Sequence, residues 1–282
     1  MTVTSAIILG LVQGIAEFLP ISSSGHLSIL QNLFGMETAE QGHLFFDVLL
    51  HLGTLVSVCL YYKQDISAMF REVFGIFRPR RGVQISQEET ARSMPTRRLI
   101  LMIIISTLPL LIVLPIRKHI EPLYGLTGFI GLALIVTGLM LFVSDKMQQG
   151  SKTENNMTVL DALLIGVCQS VAVIPGLSRS GTTITAGMAT GLDREFAVKY
   201  SFFISLPAIL GANLLGIADA LRQNLDLKLI PIYLLSTLIA GVVGYLSIGV
   251  VRMLTRRGKF GFFAFYCWII GATTIALSFI FG

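Results

Sequence analysis

Two short stretches hold most of the groups that can do chemistry in an otherwise apolar chain. In the first, Gln13 and Glu17 lie four residues apart, on one face of a helix. A carboxylate inside an apolar run is expensive, and by default it marks a functional site. The run Ser22-Ser23-Ser24-Gly25-His26 follows, offering three hydroxyls, free backbone N–H groups and an imidazole where a helix should start. Gly- and Ser-rich loops before a helix bind anions through N–H groups and the helix dipole. A serine within reach of a histidine is the minimal activated nucleophile. The second stretch, Pro175-Gly176-Leu177-Ser178-Arg179-Ser180-Gly181, is followed by Thr183 and carries one guanidinium at membrane depth. Its planar fork suits phosphate oxygens bidentately. Plainer readings stand beside these. Glu17 can be a paired structural acid, the serine run an ordinary capping loop, and Arg179 half of an ion pair with Glu17. That pair is compatible with a resting site that opens for an anionic substrate.

The stretches are copies of one another. Shifted by 156 positions, residues 6–25 align with 162–181, with seven identities: Ala6/Ala162, Gly10/Gly166, Gln13/Gln169, Ala16/Ala172, Ser22/Ser178, Ser24/Ser180 and Gly25/Gly181. The copies part where the chemistry sits: Glu17 aligns with Val173, Ser23 with Arg179 and His26 with Thr182. One copy carries the acid, serine and histidine, and the other the cation.

Composition sets the class. The chain has 282 residues, 54% hydrophobic and only 13% charged, against about 25% charged in soluble domains. Mean hydropathy is +0.77. This is an integral membrane protein. Residues 44–62, 99–116, 125–144, 200–218, 229–251 and 261–281 are the spanning candidates, each close to the roughly 17–25 residues that cross a bilayer. No Lys or Arg precedes Lys63, so no basic signal-peptide region is expected. With the N-terminus outside, sixteen Lys and Arg fall on the inner side and four on the outer, a positive-inside bias. Membrane topology therefore explains the net charge of +5, and no nucleic-acid partner is expected. Cys59, Cys168 and Cys267 lie singly in apolar runs and suggest neither disulfide nor zinc site.

Each copy is an apolar helix too short to span, then a proline, then a polar break and a second short helix. Non-helical backbone at that depth must be buried in protein or line a watery cavity, so both copies read as re-entrant hairpins. Three spans separate them, and the second enters from the opposite face. The expected fold is an all-α polytopic bundle of six spans and two re-entrant hairpins in an inverted-topology repeat. It forms a single membrane domain, with pseudo-repeats over about 1–144 and 157–282 and a cytoplasmic loop at 63–98 that is open to partial helix and too small for a separate domain. Residues 22–26 should meet residues 178–180 near the midplane. Asp47 and His51 share a helix face, and packing or an interfacial polar contact is favoured for them over a metal site.

Gln13-x-x-x-Glu17, the following Phe18-Leu19-Pro20-x-Ser-Ser-x-Gly25-His26, and Pro175-Gly-x-Ser-Arg-Ser-Gly-x-Thr183 resemble the signatures of bacterial undecaprenyl-diphosphate phosphatases of the bacitracin-resistance type. The resemblance covers the whole chain and places both motifs in the expected order. It implies removal of one phosphate from undecaprenyl diphosphate, recycling the lipid carrier of cell-wall synthesis, with a divalent cation, Mg²⁺ or Ca²⁺. The implied catalytic set is Glu17, Ser23, His26 and Arg179. Gln13, Ser22, Ser24, Gly25, Ser178, Ser180, Gly181 and Thr183 bind substrate, and Glu17 is the candidate metal ligand. Some members carry Glu at the position of Gln13. The expected partners are the polyprenyl diphosphate and membrane lipids, with a second copy of the chain as the one candidate protein partner. The expected place is the bacterial cytoplasmic membrane, with the site on its outer side. The rival class is an inverted-repeat transporter or flippase for an organic anion or lipid phosphate. The unequal copies favour the enzyme, since a transport site can be built from two equivalent loops.

Overall fold

A computed structural model describes residues 1–34, 43–77, 87–220, 227–256, 258 and 260–281. Among the described residues the elements are all helical, with one isolated bridge between Lys152 and Leu192. In chain order they are α1 (Val3–Ala16), α2 (Ser23–Leu33), α3 (His43–Tyr61), α4 (Lys63–Phe77), α5 (Gln87–Thr107), α6 (Arg117–Ile120), α7 (Thr127–Asp145), α8 (Val159–Val171), α9 (Arg179–Ala189), α10 (Arg194–Ala220), α11 (Ile230–Arg256) and α12 (Gly261–Phe281). Five helical stretches among the described residues are long and apolar enough to cross a membrane. A sixth is present if α3 and α4, which meet at a bend of 88°, count as one span.

Polarity is distributed as lipid demands. Leu132, Leu139, Leu238, Phe262 and Ile269 are exposed, whereas Gln13, Glu17, Thr54, Ser57, Ser106, Thr137 and Ser236 are buried. Where water is absent the outside must be apolar, and polar groups must find partners within the bundle.

Small residues let the helices close up. An ideal Cβ on Gly10 would sit 2.7 Å from Ser236 O, and one on Gly14 2.8 Å from Ala240 O, so α1 runs beside α11 in parallel. Ser57 Oγ donates to Gly241 O at 2.6 Å, which ties α3 to the same helix. Gly166 of α8 lies against Ser106 of α5 in the same way, with 2.7 Å between its ideal Cβ and Ser106 Cα. The two seats share one device: Ser236 Oγ donates to Ala6 O, and Ser106 Oγ donates to Ala162 O. Both short helices also begin alike, with capping boxes of Thr2 with Ser5 and Thr158 with Asp161. The helix α12 pairs with α7 through facing glycines, Gly131 and Gly271.

Two expected stretches take more definite form. The stretch 63–98, expected as a partly helical loop, is helical over much of its length. Helix α4 fills residues 63–77, and α5 begins at Gln87 and runs through Pro95; residues 78–86, including the Arg78-Pro79-Arg80-Arg81 run, lie outside the described residues. The span expected at 99–116 is α-helical only to Thr107. It then tightens into 3-10 turns at Leu108–Ile112 and Leu114–Ile116, where Pro109 and Pro115 remove backbone donors.

Candidate active site

The first polar break starts where α1 ends. The Glu17 N–H donates to Gln13 O at 3.0 Å, so Glu17 still projects from the last helical turn beside Gln13. Residues 17–21 then turn, and α2 opens at Ser22, whose Oγ accepts from the Gly25 N–H at 3.2 Å. Ser22 has φ 71°, and no other non-glycine among the described residues takes a positive φ. Such left-handed backbone in a residue with a Cβ costs of order 1–3 kcal/mol and concentrates at functional sites. Its effect is visible: the Ser22 carbonyl turns to accept from His26 Nδ1 at 2.7 Å.

The second break is built on α7. At Gly176 φ is +89°, and an ideal Cβ would meet Ile130 O and Ala133 Cβ at 2.7 Å. Thr137 Oγ1 accepts from the Ser178 N–H at 3.1 Å and donates to Gly176 O at 3.2 Å. Ser178 then caps α9 by accepting from the Gly181 N–H at 3.0 Å, as Ser22 does for Gly25. Thr183 Oγ1 lies 2.9 Å from Arg179 O and 2.6 Å from Ser201 Oγ, anchoring the first turn of α9 to α10.

The two tips meet. Ser180 Oγ donates to Leu19 O at 3.3 Å, an ideal Cβ on Gly181 would lie 3.3 Å from Pro20 Cβ, and one on Gly25 would lie 3.1 Å from Gly176 Cα. Glu17 is the focus. Its side chain is 2% exposed, and four groups surround it. Arg179 Nη2 donates to Oε1. Ser23 Oγ and Gln13 Nε2 donate to Oε2 at 2.7 and 3.1 Å. His51 Nε2 stands 3.8 Å from the same Oε2. A buried carboxylate needs such a shell. Arg179, at 26% exposed, faces the open side of the pair. A cleft with only about 10 Å³ of free space lies between Glu17, Arg179, Ser180 and α10.

The expected residues are therefore brought together, with one change of partners. Ser23 is hydrogen-bonded to Glu17 and not to His26. A carbonyl only accepts, so His26 carries its proton on Nδ1 and presents Nε2 to the Tyr266 hydroxyl at 2.9 Å. Ser24 and Ser180 reach Ser22 and Ser178 at 3.4 and 3.3 Å, and so reinforce the caps. Sequence reasoning placed two neighbours outside the site, favouring for His51 only a packing or interfacial polar contact. Tyr266 has no signal in the chain, lying 240 positions from His26. His51 had one, its i, i+4 spacing from Asp47. Its Nδ1 donates to Asp47 O at 2.8 Å, and Asp47 Oδ1 accepts from Gln31 of α2 at 2.8 Å.

The donor set bears on a cation. Among the described residues no group of three His, Cys, Asp or Glu side chains converges on one point. Both oxygens of Glu17 are already engaged. The remaining free oxygen nearby is Gln13 Oε1, buried and without a partner. One engaged carboxylate and one amide do not form a resident divalent-cation site. Mg²⁺ is commonly held largely by substrate phosphates and water.

The chain matches the family described as bacitracin resistance protein BacA over residues 6–273. It is 41% identical to a protein from Methanosphaera stadtmanae named undecaprenyl-diphosphatase, over 281 residues and 99% of each chain. It is 37% identical to the undecaprenyl-diphosphatase of Carboxydothermus hydrogenoformans over 276 residues, covering 97% of this chain and 96% of that one. It is 38% identical to that of Methanobrevibacter smithii over 273 residues, 96% of each. With its two broken helices meeting at Glu17 and Arg179 and its full-length likeness to these proteins, the chain belongs to the bacitracin resistance protein BacA family.

Proposed function

We propose that this protein hydrolyses undecaprenyl diphosphate to undecaprenyl phosphate and phosphate in the membrane, and so confers resistance to bacitracin. The relatives' shared name and the family support this activity. The observation that carries the site assignment is the Ser23–Glu17–Arg179 chain, assembled across 162 residues of sequence. Phosphoryl transfer needs an activated nucleophile, in-line geometry and donors for the phosphoryl oxygens. Arg179 opens from Glu17 and clamps the diphosphate, aided by the N–H groups of the α2 and α9 first turns. Ser23 Oγ attacks the terminal phosphorus and gives its proton to Glu17 Oε2, already its hydrogen-bond partner at 2.7 Å. The bond from phosphorus to the bridging oxygen breaks, and undecaprenyl phosphate leaves. Water then cleaves the phosphoserine. His26 holds the Ser22 turn that aims Ser23, and Gln13 holds Glu17. Mg²⁺ or Ca²⁺ enters as part of the substrate, bound to diphosphate oxygens.

The all-helical membrane fold carries the finer reading of two re-entrant hairpins in an inverted repeat. Its support is the repeated serine seats and capping boxes, and the parallel pairs α1 with α11 and α8 with α5. The charge bias favours an orientation with the N-terminus and the Glu17 tip on the outer side of the cytoplasmic membrane. One chain supplies every residue named, so the site needs no second copy. The deciding measurement is phosphate release from undecaprenyl diphosphate by the purified protein, with Mg²⁺ or Ca²⁺ and then with EDTA. Metal-dependent release that vanishes in Glu17→Ala and Arg179→Ala is expected. No release in any metal from well-folded protein overturns the reading in favour of an anion transporter.

A further inference from the structure

We infer that His51 is a further catalytic residue, the base that activates water for the second step. The inference rests on the proposed phosphoserine intermediate at Ser23. The two imidazoles near the tips differ in what their nitrogens face. His26 has both engaged, Nδ1 with the Ser22 carbonyl at 2.7 Å and Nε2 with the Tyr266 hydroxyl at 2.9 Å. His51 has one engaged. Its Nδ1 lies 2.8 Å from the Asp47 carbonyl, which only accepts, so the proton sits on Nδ1 and Nε2 keeps its lone pair.

That lone pair faces the reacting groups. His51 Nε2 is 3.8 Å from Glu17 Oε2, and the same oxygen takes the Ser23 hydroxyl. The separation is too long for a direct hydrogen bond and suits a water touching both atoms. His51 is 26% exposed while Glu17 is 2% exposed, so the imidazole is the more open of the two groups. Its orientation is built in. The Asp47 carbonyl sets the ring from one helical turn earlier, and Gln31 of α2 holds the Asp47 carboxylate at 2.8 Å, which fixes α3 to the helix that carries Ser23.

The step balances. A water oxygen bonds to phosphorus while the bond from phosphorus to Ser23 Oγ breaks. The water's proton goes to His51 Nε2, and Ser23 Oγ recovers from Glu17 the proton it gave up in the first step. Phosphate departs and takes the proton on His51 with it or passes it to solvent. Glu17 is thus the partner of serine in both directions, and it cannot also serve the water while it holds the serine's proton. A second base is required, and His51 is the group in place.

The test uses the full chain in detergent with undecaprenyl diphosphate, comparing His51→Gln, His51→Asn, His26→Asn and Ser23→Ala. Loss of a positioned base costs on the order of 100-fold or more in turnover. The expected result is that both His51 variants form about one undecaprenyl phosphate per protein, then stall with phosphate on Ser23, read by peptide mass spectrometry. Glutamine and asparagine keep a polar side chain at the position but take up no proton, so wild-type turnover in either folded variant overturns the role. Equal loss of both steps without phosphoserine also overturns it and leaves His51 a positioning residue. Accumulation of phosphoserine in His26→Asn alone reassigns the base to His26. Full activity in Ser23→Ala is the separate outcome that overturns the intermediate, and with it this assignment.

Discussion

At the scale of single residues, the candidate site is a buried carboxylate that pairs with one guanidinium and accepts a hydrogen bond from one serine. Removing the charge from Glu17 without removing its shape isolates its part. Glu17→Gln should lower phosphate release on the order of 10²–10⁴-fold, as loss of a general base does. Arg179→Lys should lower it on the order of 10²-fold, since an ammonium keeps the charge and loses the bidentate fork. Both are read as initial rates on the detergent-solubilised protein. Ser22 makes a structural prediction. Ser22→Ala removes the cap on the Gly25 N–H while leaving a Cβ at φ 71°, and should cost about 0.5–2 kcal/mol, seen as a lower thermal midpoint. Glu17, Ser23 and Arg179 were legible in the sequence because charged and nucleophilic groups are costly in lipid and stand out there. Their pairing was not. A serine three residues before a histidine suggests a dyad, but the left-handed turn at Ser22 draws His26 onto its own carbonyl and leaves Ser23 to Glu17.

At the scale of elements, the short helices α1 and α8 lead into the breaks that hold the candidate site, and close backbone contact holds them. Gly10, Gly14 and Gly166 have no room for a Cβ, whereas one on Gly125 would meet nothing within 4 Å. Gly166→Ala and Gly10→Ala should therefore reduce the yield of monodisperse protein and lower its unfolding temperature. Gly125→Ala should leave both unchanged, and size-exclusion profiles with thermal scans check the contrast. Helix positions were well marked by hydropathy; α12 fills residues 261–281 as expected, and α8 begins at Val159. Proline made the difference at the end of α5, since an apolar run shows length but not the tightening at Pro109 and Pro115. The helix α4 was open as part of a partly helical loop, but its packing was not legible: Ile66 and Met69 lie on the core while Phe70 and Phe74 stay exposed.

At the scale of the whole molecule, the repeat explains why the tips meet, and the partners of each short helix come from far along the chain. Parting the chain between α10 and α11 tests this. The segment carrying α1–α10 alone should release no phosphate, and co-expression with the α11–α12 segment should restore it. Sequence reading found the duplication but not who seats whom, because the serine pairs Ser236–Ala6 and Ser106–Ala162 join residues that no local pattern links. The first of these pairs has a bearing on biosynthesis. A ribosome delivers α1 first, yet the helix that receives it lies more than two hundred residues later. At about 5–20 residues per second, the helix carrying Glu17 waits on the order of 10–40 s for its seat. During that interval the glycine face that will pack on α11 stands beside the translocon uncovered. Translation order and packing order are thus opposed, and the newborn chain depends on whatever shelters its first helix until its penultimate one arrives.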